Sequence, residues 1–289
     1  MSAASHPVKG IDHCFALVND LDDSVRRYEA LGFTLSPRGL HSVSKGTANH
    51  TIMFPDDYFE LLGVLQATEL NAMRRTMLAE KGEGLHAIAC RIDDAAAAAE
   101  ALGERGIATE GLGSFSRPVP LPGGGTGEAA FSTVAFTADE VPRGMVFMCQ
   151  HKTPETVWLP ELLNHPNTAS GLAAILTVAD DPAGDAAGFA RLWAAGAVSE
   201  ADGIFTVATG ANSADLLVMA PERMAALYPG IDLSGTAKGA FTAMRLKVGD
   251  IGAAAGCLAA TGVTAHQTAL GIAVDPADAC GLVVEFAAP

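Results

Sequence analysis

Residues 11–33 read IDHCFALVNDLDDSVRRYEALGF. The apolar run IDHCFALV (11–18) has the length and composition of a buried strand. Asp20 then stands where a carboxylate can cap the free N–H groups of a helix and meet the positive end of its dipole. Gly32 stands where a left-handed C-terminal cap is expected. This stretch predicts a strand, an acidic turn and an amphipathic helix.

The same layout occurs three more times. LHAIACRI (85–92) precedes DDAAAAAEALGERGI, LAAILTV (172–178) precedes ADDPAGDAAGFARLWAAG, and FTAMRLKV (241–248) precedes GDIGAAAGCLAATGV. The acidic turns align at Asp20, Asp93, Asp180 and Asp250, and the helices end at Gly32, Gly106, Gly196 and Gly262. Each helix is followed by enough chain for about three more strands. After the first come GFTLSPRG, TANHTIMF and YFELLGVL, and after the second comes GMVFMCQH at the end of a longer insertion. A doubly wound parallel sheet has one strand per helix, so this pattern predicts an α+β protein of four βαβββ modules instead. Pro154, Pro160 and Pro166 interrupt the periodicity between the second and third modules. The expected organisation is therefore an N-terminal half at 8–152, a connector at 153–170 and a C-terminal half at 171–289.

Composition narrows the function classes. Nearly half of the 289 residues are hydrophobic and the formal charge is −15, which supports a folded core and repels nucleic acid and anionic membranes. No apolar run approaches the length of a membrane span, and residues 1–7 lack the features of a secretory signal. Cys14, Cys90, Cys149, Cys257 and Cys280 are odd in number and form no CxxC pair, as expected for buried thiols in a reducing, cytoplasmic setting. Pro118–Gly127 reads as an irregular loop, and its glycines are followed by neither GK[ST] nor a helix, so it is not a phosphate loop.

The segments GIDHCFALVNDLDDSVRRYEALGF, GTANHTIMF with YFELLG, and FMCQHKTPETVW with HPNTASG resemble the vicinal-oxygen-chelate superfamily, in its glyoxalase-like branch. The resemblance implies two modules per open barrel, with inward-pointing metal ligands on the first and last strand of each module. The matching positions are His13 and Glu60 in module one, and His86 and Gln150 in module two. Glutamine stands where glyoxalase-type sites have a glutamate, and Met148 is the alternative inward residue of that strand. The implied cofactor is a divalent ion such as Zn²⁺, Ni²⁺, Mn²⁺ or Fe²⁺, binding vicinal oxygens of a small substrate and favouring an enediolate. Glu60 is the expected base, because a carboxylate within the apolar run YFELLGVL needs a reason to be there.

Asn49, His50, His151 and Trp158 are the expected substrate-binding residues, and His151, Trp158, His165 and Asn167 taken together also fit a structural brace between the halves. His6, His41 and His266 read as surface or loop residues. The equivalent positions of the second half, Ala173 and Thr242, offer no imidazole beside Glu285, so that half is expected to be a degenerate copy. Two readings remain open from sequence: a metal-dependent lyase or isomerase, or a metal-free protein that binds a small molecule. Four modules complete both barrels within one chain, so a monomer or homodimer is expected.

Overall fold

The computed structural model describes residues 5–121 and 124–288. Module one is β1 (Ile11–Val18), α1 (Leu21–Ala30), β2 (Gly39–Leu40), β3 (Thr47–Met53) and β4 (Tyr58–Val64). An additional helix that the repeat pattern does not announce, α2 (Ala72–Lys81), leads into module two. That module is β5 (Gly84–Arg91), α3 (Ala95–Gly103), β6 (Thr109–Pro120), β7 (Thr126–Phe136) and β8 (Met145–His151). Together the two modules form one eight-stranded sheet in the order β2-β3-β4-β1-β5-β8-β7-β6.

The C-terminal half repeats this order with β9 (Ala169–Val178), α4 (Pro182–Ala190), β10 (Val198–Ala201), β11 (Ile204–Val207) and β12 (Asp215–Met219). A short helix, α5 (Pro221–Leu227), precedes β13 (Ala243–Val248), α6 (Ile251–Thr261), β14 (His266–Gln267), β15 (Gly271–Val274) and β16 (Val283–Ala287). Its sheet runs β10-β11-β12-β9-β13-β16-β15-β14, so strand for strand it matches the first. The expected α+β fold of paired βαβββ modules is the observed one.

Four acidic caps begin the module helices. Asp20 accepts from the Asp23 N–H and Asp250 from those of Gly252 and Ala253. In modules two and three the capping residues are Asp94 and Asp181, one position later than the sequence alignment at Asp93 and Asp180. Because strand side chains alternate faces, a one-residue displacement exchanges inside for outside. Gly262 closes α6 in the left-handed conformation, as its position predicts.

The stretch expected to be an irregular loop is instead the tip of a long β6–β7 hairpin. Pro118 pairs with Glu128 and Val119 with Gly127, while Pro122 and Gly123 lie outside the described residues. Prolines are tolerated there because β6 is the last strand of its sheet, where missing ladder donors face outward.

One core cluster joins the halves: Ile11, Cys14 and Ile88 belong to the same cluster as Met244, Leu246 and Phe286. Between β8 and β9, Asn167 donates to the Leu31 carbonyl (3.0 Å), and His165 bridges the Thr34 N–H (3.1 Å) and the Met53 carbonyl (2.9 Å). Both residues thus tie the connector to the N-terminal half. Among the described residues no helix is long and apolar enough to cross a membrane.

Candidate active site

The N-terminal sheet curls around a cavity of about 230 Å³. The period-two alternation of the strands selects its lining. His13 and Phe15 of β1, Thr47, Asn49 and Thr51 of β3, and Tyr58, Glu60 and Leu62 of β4 all face it. Met145, Phe147 and Cys149 of β8 complete that wall, with Phe115 and Arg117 of β6 opposite.

His13 and Glu60 therefore meet, with His13 Nε2 4.0 Å from Glu60 Oε2. Both are buried. Asn49 Nδ2 donates to Glu60 Oε1 (2.7 Å), so the amide expected to touch substrate holds the carboxylate from behind. The His13 ring is also stacked on Tyr58 at a centroid distance of 4.2 Å.

Asp12 fixes the other side of His13. The pairing of β1 with β5 steps from Ile11↔Cys90 to His13↔Ala89, making Asp12 the extra residue of a β-bulge. A bulge re-aims side chains, and here it brings Asp12 Oδ1 to 2.7 Å from His13 Nδ1 and 2.9 Å from His151 Nε2. Burial pushes the Asp12 pKa up, but the hydrogen bonds and charges of the two histidines outweigh it and hold the carboxyl well below its ordinary value. An ionised carboxylate only accepts, so both imidazole nitrogens facing it carry protons. That leaves Nε2 of His13 as the ring nitrogen directed at the cavity.

Other expected residues are placed elsewhere. His86 is the extra residue of a second bulge, between Phe15↔Ala87 and Ala16↔Leu85, and its Nε2 bonds the Gly82 carbonyl at 2.8 Å away from the cavity. Gln150 accepts from the Ala95 N–H (3.2 Å) at the start of α3, and Met148 is packed in the core on that same face. The strand offers Phe147 and Cys149 to the cavity instead. His50, between the inward Asn49 and Thr51, bonds the Ser36 carbonyl (2.7 Å) on the opposite face. His151 and Trp158 stand behind the wall, edge-on at 4.8 Å, with the Trp158 indole donating to the Phe54 carbonyl.

Four basic residues in the cavity lining escape the sequence reading: His41, Lys45, Arg74 and Arg117. His41 is not a surface residue; burial lowers its pKa to about 4. Burial and the nearby Arg74 bring Lys45 down to about 8, while its Nζ lies 3.3 Å from the Phe115 ring centroid. Burial likewise lowers Arg74 and Arg117, each partly offset by Glu60. The available signal for Arg117 is its alternation with Phe115 and Val119, at the point where β6 runs into the segment expected to be loop.

The paired modules and the cavity inside the N-terminal sheet define a vicinal-oxygen-chelate protein. Residues 11–194 match the glyoxalase-like domain, and the chain belongs to that family. A hypothetical protein from Staphylococcus aureus is similar over 96% of this chain and 99% of its own, at 14% identity and a TM-score of 0.67. A mutant 4-hydroxymandelate synthase from Streptomyces coelicolor is similar over 98% and 93%, at 12% identity and a TM-score of 0.60. These likenesses establish a shared fold. No curated protein matches the chain.

Strand pairing identifies the positions equivalent to His13 and Glu60. The pair His13↔Ala89 has Phe15↔Ala87 as its symmetry mate, so Ala87 stands opposite His13. Glu60 pairs with Phe15 and Phe147 pairs with Ala89, so Phe147 stands opposite Glu60. Alanine and phenylalanine offer no ligand atoms, and the four-donor set implied by the resemblance is not assembled. A different group, Asp12, His13, Cys149 and His151, places one donor atom of each residue within 4.8 Å of the others. Its chemistry suits a divalent ion poorly. Asp12 Oδ1 is occupied by two N–H donors, Arg91 lies 3.8 Å from Oδ2, and burial pushes the Cys149 thiol well above its ordinary pKa. Three cations face the adjacent cavity, and they too disfavour a metal cation.

Proposed function

We propose that this protein is an enzyme of the isomerase or lyase class that moves a proton at a carbon beside a carbonyl in a small oxygenated substrate. The observation that carries this reading is the His13–Glu60 pair at the cavity wall, 4.0 Å apart and each oriented by its own partner. An imidazole tied to a carboxylate through Nδ1 presents Nε2 as base, and the imidazolium that forms is stabilised by Asp12. Glu60, fixed by Asn49, faces the same space and serves as the second proton-handling group. The phenylalanines around the cavity exclude water, which strengthens charge interactions within it. The enolate-type intermediate expected from sequence is retained, with the proton handled by these side chains and no step assigned to a chelated ion.

A second reading, a metal-free binding protein, draws support from the phenylalanine and alanine at the two positions where the family resemblance implies ligands. One experiment separates the two. Small oxo and hydroxy acids are incubated with the protein in D₂O, and exchange at the carbon beside the carbonyl is followed by NMR. Exchange lost in His13→Ala and Glu60→Gln supports the enzyme. Saturable binding without exchange supports the binding protein. Elemental analysis of the same protein, with a stoichiometric metal lost in His13→Ala, would overturn the metal-free proton transfer.

A further inference from the structure

The cavity has a charge opposite to that of the molecule around it. The chain carries a formal −15, yet the charged residues lining the cavity are Lys45, Arg74, Arg117 and Glu60, a formal +2 from three cations and one carboxylate. Glu60 offsets the three cations only in part, as one carboxylate against three. It is bonded to Asn49, and among the described residues none of the three cations lies within ion-pair distance of a carboxylate. Arg74 Nε is buried with no hydrogen-bond partner, and Arg117 places its guanidinium against the bare backbone of Gly39, where a Cβ would come within 2.6 Å of it. Partly burying three cations without partners is costly, and the cost is recovered when an anion supplies both charge and acceptors. Arginine suits that role, since its planar fork of donors matches carboxylate and phosphate oxygens.

These three side chains come from separate elements: Arg74 from α2, Arg117 from the β6 edge strand, and Lys45 from the turn between β2 and β3. They converge only because the sheet curls far enough for β2 and β6 to approach. The cation–π contact with Phe115 holds Lys45 in place without neutralising it. From this arrangement we infer that the substrate is a small dianion, with two carboxylates or one phosphate group, held by Arg74, Arg117 and Lys45 while its carbonyl end reaches His13 and Glu60. The inference rests on the proposed reading of this cavity as the substrate site and adds the charge of the molecule it takes.

The test is calorimetric titration of the full chain at low ionic strength with malonate, inorganic phosphate and the neutral malonamide. Malonate or phosphate is expected to bind at least about tenfold more tightly than malonamide, more weakly as salt rises. Arg74→Gln and Arg117→Gln should each lower that affinity about tenfold, whereas Lys238→Gln, an exposed change outside the cavity, should leave it unaltered. Preference for malonate identifies a dicarboxylate and preference for phosphate a phosphorylated compound; both support the inference. Equal affinity for malonate, phosphate and malonamide, or anion binding untouched by either arginine change, would overturn it. If an arginine variant fails to fold, Lys45→Met at the turn and the wild-type comparison of malonate with malonamide still decide. Anion binding that persists in His13→Ala while no oxo acid exchanges its proton would sink the proposed reaction and leave this inference standing.

Discussion

The two halves of the chain share a strand order and differ in what they do with a buried carboxylate. Glu60 and Glu285 both sit on the last strand of a module and both face the inside of their sheet. Around Glu285 every need is met locally: Arg245 Nε donates at 2.6 Å, Tyr228 Oη at 3.0 Å and Thr268 Oγ1 at 2.7 Å. Met224 of α5, followed by Tyr228, packs with Ala174, Leu217, Ala243 and Val283 on that side of the sheet. Ala174 and Ala243 take the positions that correspond to His13, because Ala243↔Leu176 and Arg245↔Ala174 are symmetry-related pairs. Around Glu60, among the described residues, only Asn49 donates, the three cations have no carboxylate within ion-pair distance and the centre stays open. A site on this fold is thus made by leaving charges unpaired and volume unfilled, and it is removed by supplying an arginine and a plug.

The largest effect should come from disabling the open half. His13→Ala is expected to lower proton exchange by about 10²–10⁴-fold, the usual contribution of a positioned general base. Stability should change far less, since the ring faces a cavity. A rate within about twofold of wild type would remove His13 from the mechanism and erase the functional contrast with Ala174 and Ala243.

Next is the closed half, where the expected loss is of stability alone. Arg245→Met leaves Glu285 buried without its cation, and breaking such a pair costs about 3–5 kcal/mol. Denaturant unfolding should report that loss, while titration of the N-terminal cavity with malonate should give the wild-type affinity. A change in ligand affinity of more than about threefold would mean that the two sites communicate through the shared core.

A smaller change reaches the open site through its backbone. At Gly39 an added Cβ would lie 2.3 Å from Asn49 Oδ1 and 2.6 Å from Arg117 Nη1. Both side chains must shift, so Gly39→Ala should weaken malonate binding about tenfold and loosen the hold of Asn49 on Glu60. Unchanged affinity in a variant that melts like wild type would show that Arg117 does not need this seat to bind an anion.

How much of this was readable in the chain follows from the range over which each feature is encoded. The modules were legible because strand, cap and helix are local, and Asp20 with IDHCFALV is sufficient for the first. His13 and Glu60 were found because the family resemblance falls on their two strands and because a carboxylate stands out in the apolar run YFELLGVL. His86 and Gln150 were misplaced for one reason: facing depends on register, and register depends on bulges and on which of two adjacent aspartates caps the helix. Asp93–Asp94 and Asp180–Asp181 give no local hint that the second of each pair is the cap. The basic lining was missed because it is not a feature of any segment. Lys45, Arg74 and Arg117 are separated by tens of residues and become a group only through closure of the sheet.

The junction between the halves provides the predicted effect most sensitive to pH. Asp57, just before β4, accepts the Leu172 N–H of the C-terminal half with both oxygens, at 3.0 and 3.3 Å. Burial raises its pKa from 3.8 to about 7, against the bond from Leu172 and the charges of Lys247 and Arg91. The folded chain therefore keeps a proton that the unfolded chain releases between about pH 4 and pH 7. Stability consequently falls as pH rises through that window and remains at the lower level above it. Asp57→Asn retains an acceptor for Leu172 and cannot ionise. Its melting temperature should match wild type near pH 4 and exceed it above pH 7, where the wild-type carboxyl has ionised against the cost of burial. Thermal melts at pH 4 and pH 8 check the sign. A variant less stable than wild type at pH 8 would mean that the junction favours the ionised form of Asp57, and that the halves are joined there by charge as well as by the hydrogen bond.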